Sequence, residues 1–267
     1  MEFLGECAGR RLLAALVFLA IFGKKLFPFP DGAVRKGPLL GLYLFLGFIA
    51  QNVGLNYTTA SKSAFITSLM VVFVPILQYV MEKRPPTLGN IFGIGAAVAG
   101  LWLMTSPTGA DLNIGDVLTL ICAMFFALYI VYLDVASRAM TTPQLTFLQS
   151  ATCAVLGVVA TLGLEDFFFQ PTLSVVLAVG YLTLFATVLT TFMQTKYQKF
   201  TTPTRAAVIF TVEPVWASLM AYVLLGERLG TLGVVGGALI ITGVLISELS
   251  DKIPFFNKGL AAEEEAS

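Results

Sequence analysis

Nine stretches of about 20 mostly apolar residues, separated by short polar breaks, take up most of the 267-residue chain. They run approximately from Leu12 to Phe29, Pro38 to Tyr57, Ser61 to Met81, Thr87 to Ser106, Asp116 to Ala136, Pro143 to Leu164, Leu173 to Tyr197, Thr204 to Leu225 and Thr231 to Leu249. About 20 apolar residues is the length a helix needs to cross ~30 Å of hydrocarbon, so the pattern predicts an all-α, polytopic membrane helix bundle with nine crossings. The breaks carry proline, glycine and charge: "FPFPDG", "EKRPP", "TSPTGADLN", "EDFFFQPT" and "GERLG". Gly23, Lys24 and Lys25 interrupt the first run, which has neither the charged n-region nor the small-residue cleavage site of a signal peptide. Residues 250–267 read as a short soluble or disordered tail.

Composition supports the same class. Hydrophobic residues make up 57% of the chain, charged residues 12%, and the mean hydropathy is +0.86, far from an ordinary soluble domain. Lys plus Arg and Asp plus Glu number 16 each, so no charge excess points to nucleic acid. Cys7, Cys122 and Cys153 are scattered and form neither a disulfide framework nor a zinc spacing. Histidine is absent, which removes histidine-based metal sites and Ser/His dyads, and there is no Gly-x-Ser-x-Gly elbow or Gly-rich phosphate loop. Asp116 and Asp134 sit 18 residues apart on one run, ~27 Å along a continuous helix, too far to act as an aspartyl pair. The expectation is therefore a non-enzyme without cofactor or metal, whose partners are a small-molecule substrate and the lipid bilayer; monomer and homodimer both stay open.

Positive charge orients the runs, because loops kept in the cytoplasm collect Lys and Arg. If the loop after the first run is cytoplasmic, alternate loops hold Lys24, Lys25, Arg35, Lys36, Lys83, Arg84, Arg138, Lys196, Lys199, Arg205, Lys252 and Lys258, against Arg10, Arg11, Lys62 and Arg228 on the other side. This predicts a cytoplasmic C-terminus in a plasma membrane of bacterial inner-membrane type, with "TSPTGADLN" and "EDFFFQPT" outside.

The chain also resembles itself. A shift of 143 or 144 residues places Lys62 on Arg205, Ala64 on Ala207, Arg84 on Arg228, Gly93 on Gly236 and Gly100 on Gly243, whereas Pro75 and Pro214 match only at 139. The chain thus divides into a first repeat over residues 1–110 with four helices, a second over 111–250 with five, and a tail over 251–267. One helix is expected to be missing from the front, through a late gene start or a natural truncation. Five is an odd number, so consecutive copies enter the membrane in opposite directions, as in many secondary transporters.

The second half, "GDVLTLICAMFFALYIVYLD" followed by "LFATVLTTFMQTKYQKFTTPTRAAVIFTVEPVWASLMAYVLLGERLG", closely resembles the EamA-type branch of the drug/metabolite transporter superfamily. Its most specific piece is the small-residue helix with Glu-Pro at its middle and Gly-Glu-Arg at its end. The first half carries the sister segment "TTASKSAFITSLMVVFVPILQYVMEKRPP", with the proline but no glutamate. The resemblance implies ten helices in two inverted five-helix repeats, a central cavity, and efflux or exchange of amino acids, other small metabolites or drugs. This chain begins at the second helix of that pattern.

Candidate site residues follow from where polarity interrupts the apolar runs. Glu213 is the tenth residue of its run, roughly 13 Å in, where an ionised carboxylate costs on the order of 3 kcal/mol unless it faces the bundle interior or water. It is either a substrate-amine or proton site, or a protonated acid bonded to a neighbouring helix. A mid-run Pro214 removes the N–H partner of the Phe210 carbonyl, and Pro75 does the same for Val71, so both mark expected helix kinks. Thr183, Thr187, Thr190, Thr191 and Gln194 fall at spacings of three and four, on one face that lines a polar path or bonds neighbouring helices. Gln51, Asn52 and Gln149 are further cavity candidates. Trp216, three residues after Glu213, is placed to stack on substrate, ahead of Tyr129 and Tyr132. The pairs Gly89/Gly93, Ala96/Gly100 and Gly233/Gly237 predict close helix approach. Arg84, Glu227 and Arg228 read as topological charges at helix ends. A secondary carrier is thus expected; the alternative is a non-transporting membrane scaffold or lipid-interacting protein, which requires no solvent-accessible cavity.

Overall fold

The structure is a computed structural model that describes residues 3–30, 32–83, 85–105, 113–164, 172–225 and 230–249. Arg84, Glu227, Arg228, most of "TSPTGADLN", "EDFFFQPT" and "GERLG", and the tail from residue 250 lie outside the described residues. Among the described residues there is no strand. The chain forms α1 (Phe3–Leu26), α2 (Ala33–Leu55), α3 (Ala60–Ser68), α4 (Met70–Glu82), α5 (Leu88–Thr105), α6 (Ile114–Ala139), α7 (Thr142–Leu164) and α8 (Leu173–Tyr181). A π-helical segment (Leu182–Leu189) follows, then α9 (Thr190–Gln198), α10 (Pro203–Phe210), α11 (Glu213–Leu225) and α12 (Thr231–Leu249). These fall into the nine expected runs, three of them subdivided. Six segments among the described residues are long and apolar enough to cross a membrane: Arg35–Leu55, Lys62–Glu82, Ile114–Ala139, Thr142–Gly163, Leu173–Gln198 and Thr231–Leu249.

The first helix begins at Phe3, well before the apolar run at Leu12. A hydropathy window stops at Arg10 and Arg11, but neither residue opposes helix, so the backbone continues through them. The run from Ser61 to Met81 breaks at Leu69, between α3 and α4, and not at Pro75, which lies buried inside α4. The run from Thr204 to Leu225 breaks at Thr211 and Val212. The two breaks are related. Thr59 caps α3 by accepting a bond from the Lys62 N–H at 3.3 Å, and Thr202, 143 residues on, caps α10 from the Arg205 N–H at 3.3 Å. At the other ends the Ser68 hydroxyl donates to the Ala64 carbonyl at 2.8 Å and the Thr211 hydroxyl to the Val208 carbonyl at 2.6 Å, again at an offset of 143. Such back-bonding bends helices.

Two compact units cut across the two sequence halves: unit 1 comprises Met1–Asn52 and Tyr132–Thr201, unit 2 comprises Val53–Val131 and Thr202–Ser267. In unit 1, α1 packs on α7 and on the π-helical segment. A Cβ at Gly157 would lie 2.9 Å from Ala8, and one at Gly41 only 2.6 Å from the Gln149 carbonyl, so glycine lets α1 and α2 come down onto α7. Phe18, Leu26, Leu40, Leu133 and Leu145 fill this unit's interior. The capping box on α7 is shared with α1. Gln144 accepts from Thr141 N–H and hydroxyl at 3.3 and 2.9 Å, while its amide donates to the Leu26 and Pro28 carbonyls at 3.1 and 3.0 Å.

In unit 2, α5 and α12 cross antiparallel through glycine. A Cβ at Gly93 would meet the Gly243 carbonyl at 2.6 Å and one at Gly100 the Gly236 carbonyl at 2.5 Å, and the reverse contacts are 2.6 and 2.5 Å. Gly93 and Gly236 are equivalent under the 143-residue shift, as are Gly100 and Gly243. Each contact therefore maps onto the other, the signature of a two-fold relation, and with the helices antiparallel the repeat is inverted. The same equivalence has α3 packing on α5 as α10 packs on α12. Val71, Val74, Leu101, Val208 and Ile240 are fully buried here.

Candidate functional site

Unit 2 carries a cleft of about 630 Å³ lined by Ile209, Phe210, Val212, Glu213, Trp216 and Met220. It opens at the break between α10 and α11. The Val212 N–H reaches only back to Ile209 (3.1 Å), and the next turn restarts with Val215 and Trp216 N–H bonds to the Val212 carbonyl at 3.0 and 3.1 Å. Glu213 is therefore the first residue of α11 and Pro214 the second. This changes the physical meaning of the pair. Proline in the first helical turn lacks an N–H that would have no intrahelical partner anyway, so Pro214 opens a helix instead of kinking one. A carboxylate at a helix start is favoured by the unpaired N–H groups and the dipole. Glu213 is exposed to the cleft, and Trp216 on the same helical face is 61% exposed; it is the lining's large aromatic platform beside its one charge. The equivalent break in α3/α4 has Met70 where α11 has its acid.

Unit 1 holds the threonine face. Thr183 and Thr187 are buried on the π-helical segment and Thr191 and Thr195 on α9, and Gln194 is half-buried. Thr187 donates to the Leu182 carbonyl at 3.3 Å, a five-residue span that matches the π-helical winding, and the exposed Thr190 donates to Ala186 at 2.7 Å. Gln149, fully buried on α7, donates to Thr195 at 3.0 Å. Arg11 of α1 donates from Nη1 to Thr191 at 3.2 Å, with its Cζ 5.2 Å from the Phe48 ring centroid. Gln51 and Asn52 are half-buried near the end of α2. The predicted residues are thus distributed: Glu213, Trp216, Pro75 and Pro214 belong to unit 2, and Gln51, Asn52, Gln149, Thr187, Thr191 and Gln194 to unit 1. Tyr129 is buried in unit 2, whereas Tyr132 packs edge-on against Tyr43 in unit 1, centroids 6.0 Å apart.

Sequence reasoning missed two charged features. Arg11 had read as a flanking charge; its 9% exposure shows it as an interior one. The apolar Phe3 and Leu4 upstream were the available signal that the helix starts earlier. Asp116, weighed only as half of an acid pair, is ion-paired to Lys62 at 2.5 Å. It also accepts from the Thr58 hydroxyl at 2.7 Å and the Asn113 N–H at 3.1 Å. Asp134 is held by Arg138 through two 3.1 Å bonds. Both acids are consumed structurally, and no group of metal-ligating side chains occurs among the described residues.

Membrane-crossing helices with an inverted internal repeat and paired half-helices are the architecture of many secondary transporters. The chain belongs to the EamA-like transporter family, which it matches over residues 6–106 and 113–249. It is 32% identical over 241 residues to an uncharacterized transporter of Archaeoglobus fulgidus, covering 90% of this chain and 75% of that one. It is 26% identical over 231 residues to the uncharacterized transporter YcxC of Bacillus subtilis, covering 80% and 72%. A solved crystal structure superimposes with a TM-score of 0.78 over 93% of this chain and 87% of that one, at 17% identity, a likeness of fold.

Proposed function

We propose that this transporter is a secondary carrier, an exporter or exchanger of small metabolites such as amino acids or of drug-like compounds. It works by alternating access between two repeats, residues 1–110 and 111–250, followed by a cytoplasmic tail over 251–267. Its membrane is the plasma membrane, of bacterial inner-membrane type. The observation that supports this reading most is the exposed Glu213 beside Trp216 in a cleft at the broken helix α10/α11. Breaks of this kind are tolerated at membrane depth where the backbone lines a cavity. In unit 2, Glu213 carries a proton or a substrate amine and Trp216 stacks on the cargo; within unit 1, Gln51, Asn52, Gln149, Thr187, Thr191 and Gln194 are the candidate polar contacts. Pro75 and Pro214 shape the helices that move.

Counterflow assays in proteoliposomes test the proposal. Vesicles are loaded with a panel of unlabelled amino acids, organic acids and drug-like amines, with and without an imposed pH gradient. Accumulation of at least one labelled compound, dependent on Glu213, is the expected result. A correctly folded protein that moves none of the panel defeats the carrier reading, and transport indifferent to the gradient removes the proton coupling.

A further inference from the structure

We propose that the protein binds a small anion, one bearing a carboxylate or phosphate group, at Arg11 inside unit 1. The proposal rests on the carrier reading and specifies the charge class of its cargo. Three charged side chains are buried among the described residues: Asp116, Asp134 and Arg11. The two acids have their cations, Lys62 and Arg138. Arg11 has no carboxylate partner among the described residues; its guanidinium makes one hydrogen bond, to a neutral hydroxyl, and rests on one aromatic ring.

Depth sharpens the anomaly. Arg11 is the ninth residue of α1, ~12 Å from its start, and Thr191 lies seven residues from the end of α9, ~10 Å. The guanidinium is thus well inside the span of both helices. Arginine cannot shed its proton to escape the cost of burial, as lysine can. Intramembrane charges are retained where they pair or serve a pathway. Phe48 covers one face and Thr191 takes one of five N–H donors, so four donors remain for a two-pronged oxyanion. A second unexplained group lies along the same threonine face: the hydroxyl of Thr183, 3% exposed, has no hydrogen-bond partner. Thr183 lies eight residues before Thr191, ~12 Å along the helix, so it marks unpaired polarity on the same face and is not a second contact to the same small anion, whose oxyanion group pairs with Arg11. An amine is repelled by the fixed positive charge.

Thermal unfolding of the purified full chain in neutral detergent tests this without any transport measurement. Sodium phosphate and sodium malonate are compared with sodium chloride at equal ionic strength, and a third arm adds phosphatidylglycerol to the micelles. For the unaltered protein phosphate or malonate should raise Tm by about 3 °C at ten times its dissociation constant. R11K keeps the charge but not the fork and should need ~10-fold more anion, and R11Q should not respond. In chloride R11Q should melt no lower than the unaltered protein, because it removes an unpaired buried charge. A phosphatidylglycerol response that R11Q abolishes, with phosphate and malonate inert, assigns the oxyanion to a lipid headgroup. Equal responses from the unaltered protein and R11Q, or none beyond chloride in any arm, overturn the proposal. Should R11Q fail to fold, an R11K response as tight as that of the unaltered protein overturns it. A carrier that transports but shows no anion response sinks only this proposal; anion binding without transport of any compound sinks only the carrier reading.

Discussion

Glu213 shows how a single residue changes meaning when its backbone is known. A carboxylate in the middle of a continuous apolar helix demands a partner, whereas one at the first position of a half-helix is already stabilised by free N–H groups. Glu213→Gln keeps the size and much of the hydrogen bonding, and the side chain is exposed, so thermal stability should change little. If Glu213 carries a proton or an amine, transport should fall at least ~10-fold or lose its pH dependence in the same vesicles; full activity with an unshifted pH profile would assign it a structural role. A different residue-scale change should hit stability and not chemistry. Gln78 is 6% exposed and its carbonyl accepts from both the N–H and the hydroxyl of Thr204, at 3.2 and 2.6 Å, across from α4 to the start of α10. Gln78→Leu strands two buried donors, an expected loss of ~1–3 kcal/mol seen as a lower unfolding midpoint in detergent. The charge of Glu213 was legible in the sequence and its position at a helix start was not. A proline reads as a kink or as an opening depending on a break two residues earlier, set by a threonine back-bond.

At the scale of elements the nine runs were readable because membrane-spanning length is a strong constraint, and their subdivision was not, because hydropathy is blind to backbone breaks. The 143-residue offset was visible in Gly93/Gly236 and Gly100/Gly243, and the structure gives it a physical basis: these glycines are where one repeat's helix crosses the other's. The spacing rule that singled out Gly237 was looser, since a Cβ there meets nothing closer than 3.8 Å. This distinction is testable on α5 alone. Gly100→Ala places a Cβ 2.5 Å from a backbone carbonyl that has nowhere to go, and should destabilise by ~1–3 kcal/mol. Gly95→Ala, on the same helix with nothing within 4 Å, should be neutral or raise stability by up to ~1 kcal/mol. Unfolding midpoints of the two variants, measured side by side, decide it. Equal effects would mean that α5 and α12 do not cross at these glycines.

For the whole molecule the remaining question is which ends of the helices face the cytoplasm, and here charge supplies what packing does not. Retention of Lys and Arg on one side follows from insertion, so a chain with 16 basic residues, most of them in alternate loops, has a preferred orientation independent of its cargo. The structure adds one qualification: Arg11 is interior, and Lys62 spends its charge on Asp116, so two of the four cations assigned to the outer side are held by protein contacts and do not act as loop charges. Arg138 on the other side is likewise spent on Asp134, so the count moves from twelve against four to eleven against two, which still strengthens the bias toward a cytoplasmic Lys196–Arg205 loop. The positions to probe are Lys199, exposed after α9, and Tyr57, 57% exposed after α2, in a background lacking Cys7, Cys122 and Cys153. The buried Cys122 and Cys153 sit among packed helices, so their removal is made with alanine and checked by melting first. In intact cells a membrane-impermeant maleimide should modify Tyr57→Cys and leave Lys199→Cys unlabelled until the membrane is permeabilised. The reverse pattern inverts the molecule and places the C-terminal end of α12 outside. Labelling of both sites in intact cells would mean dual insertion, which is the outcome a weak charge bias produces and an eleven-to-two bias does not.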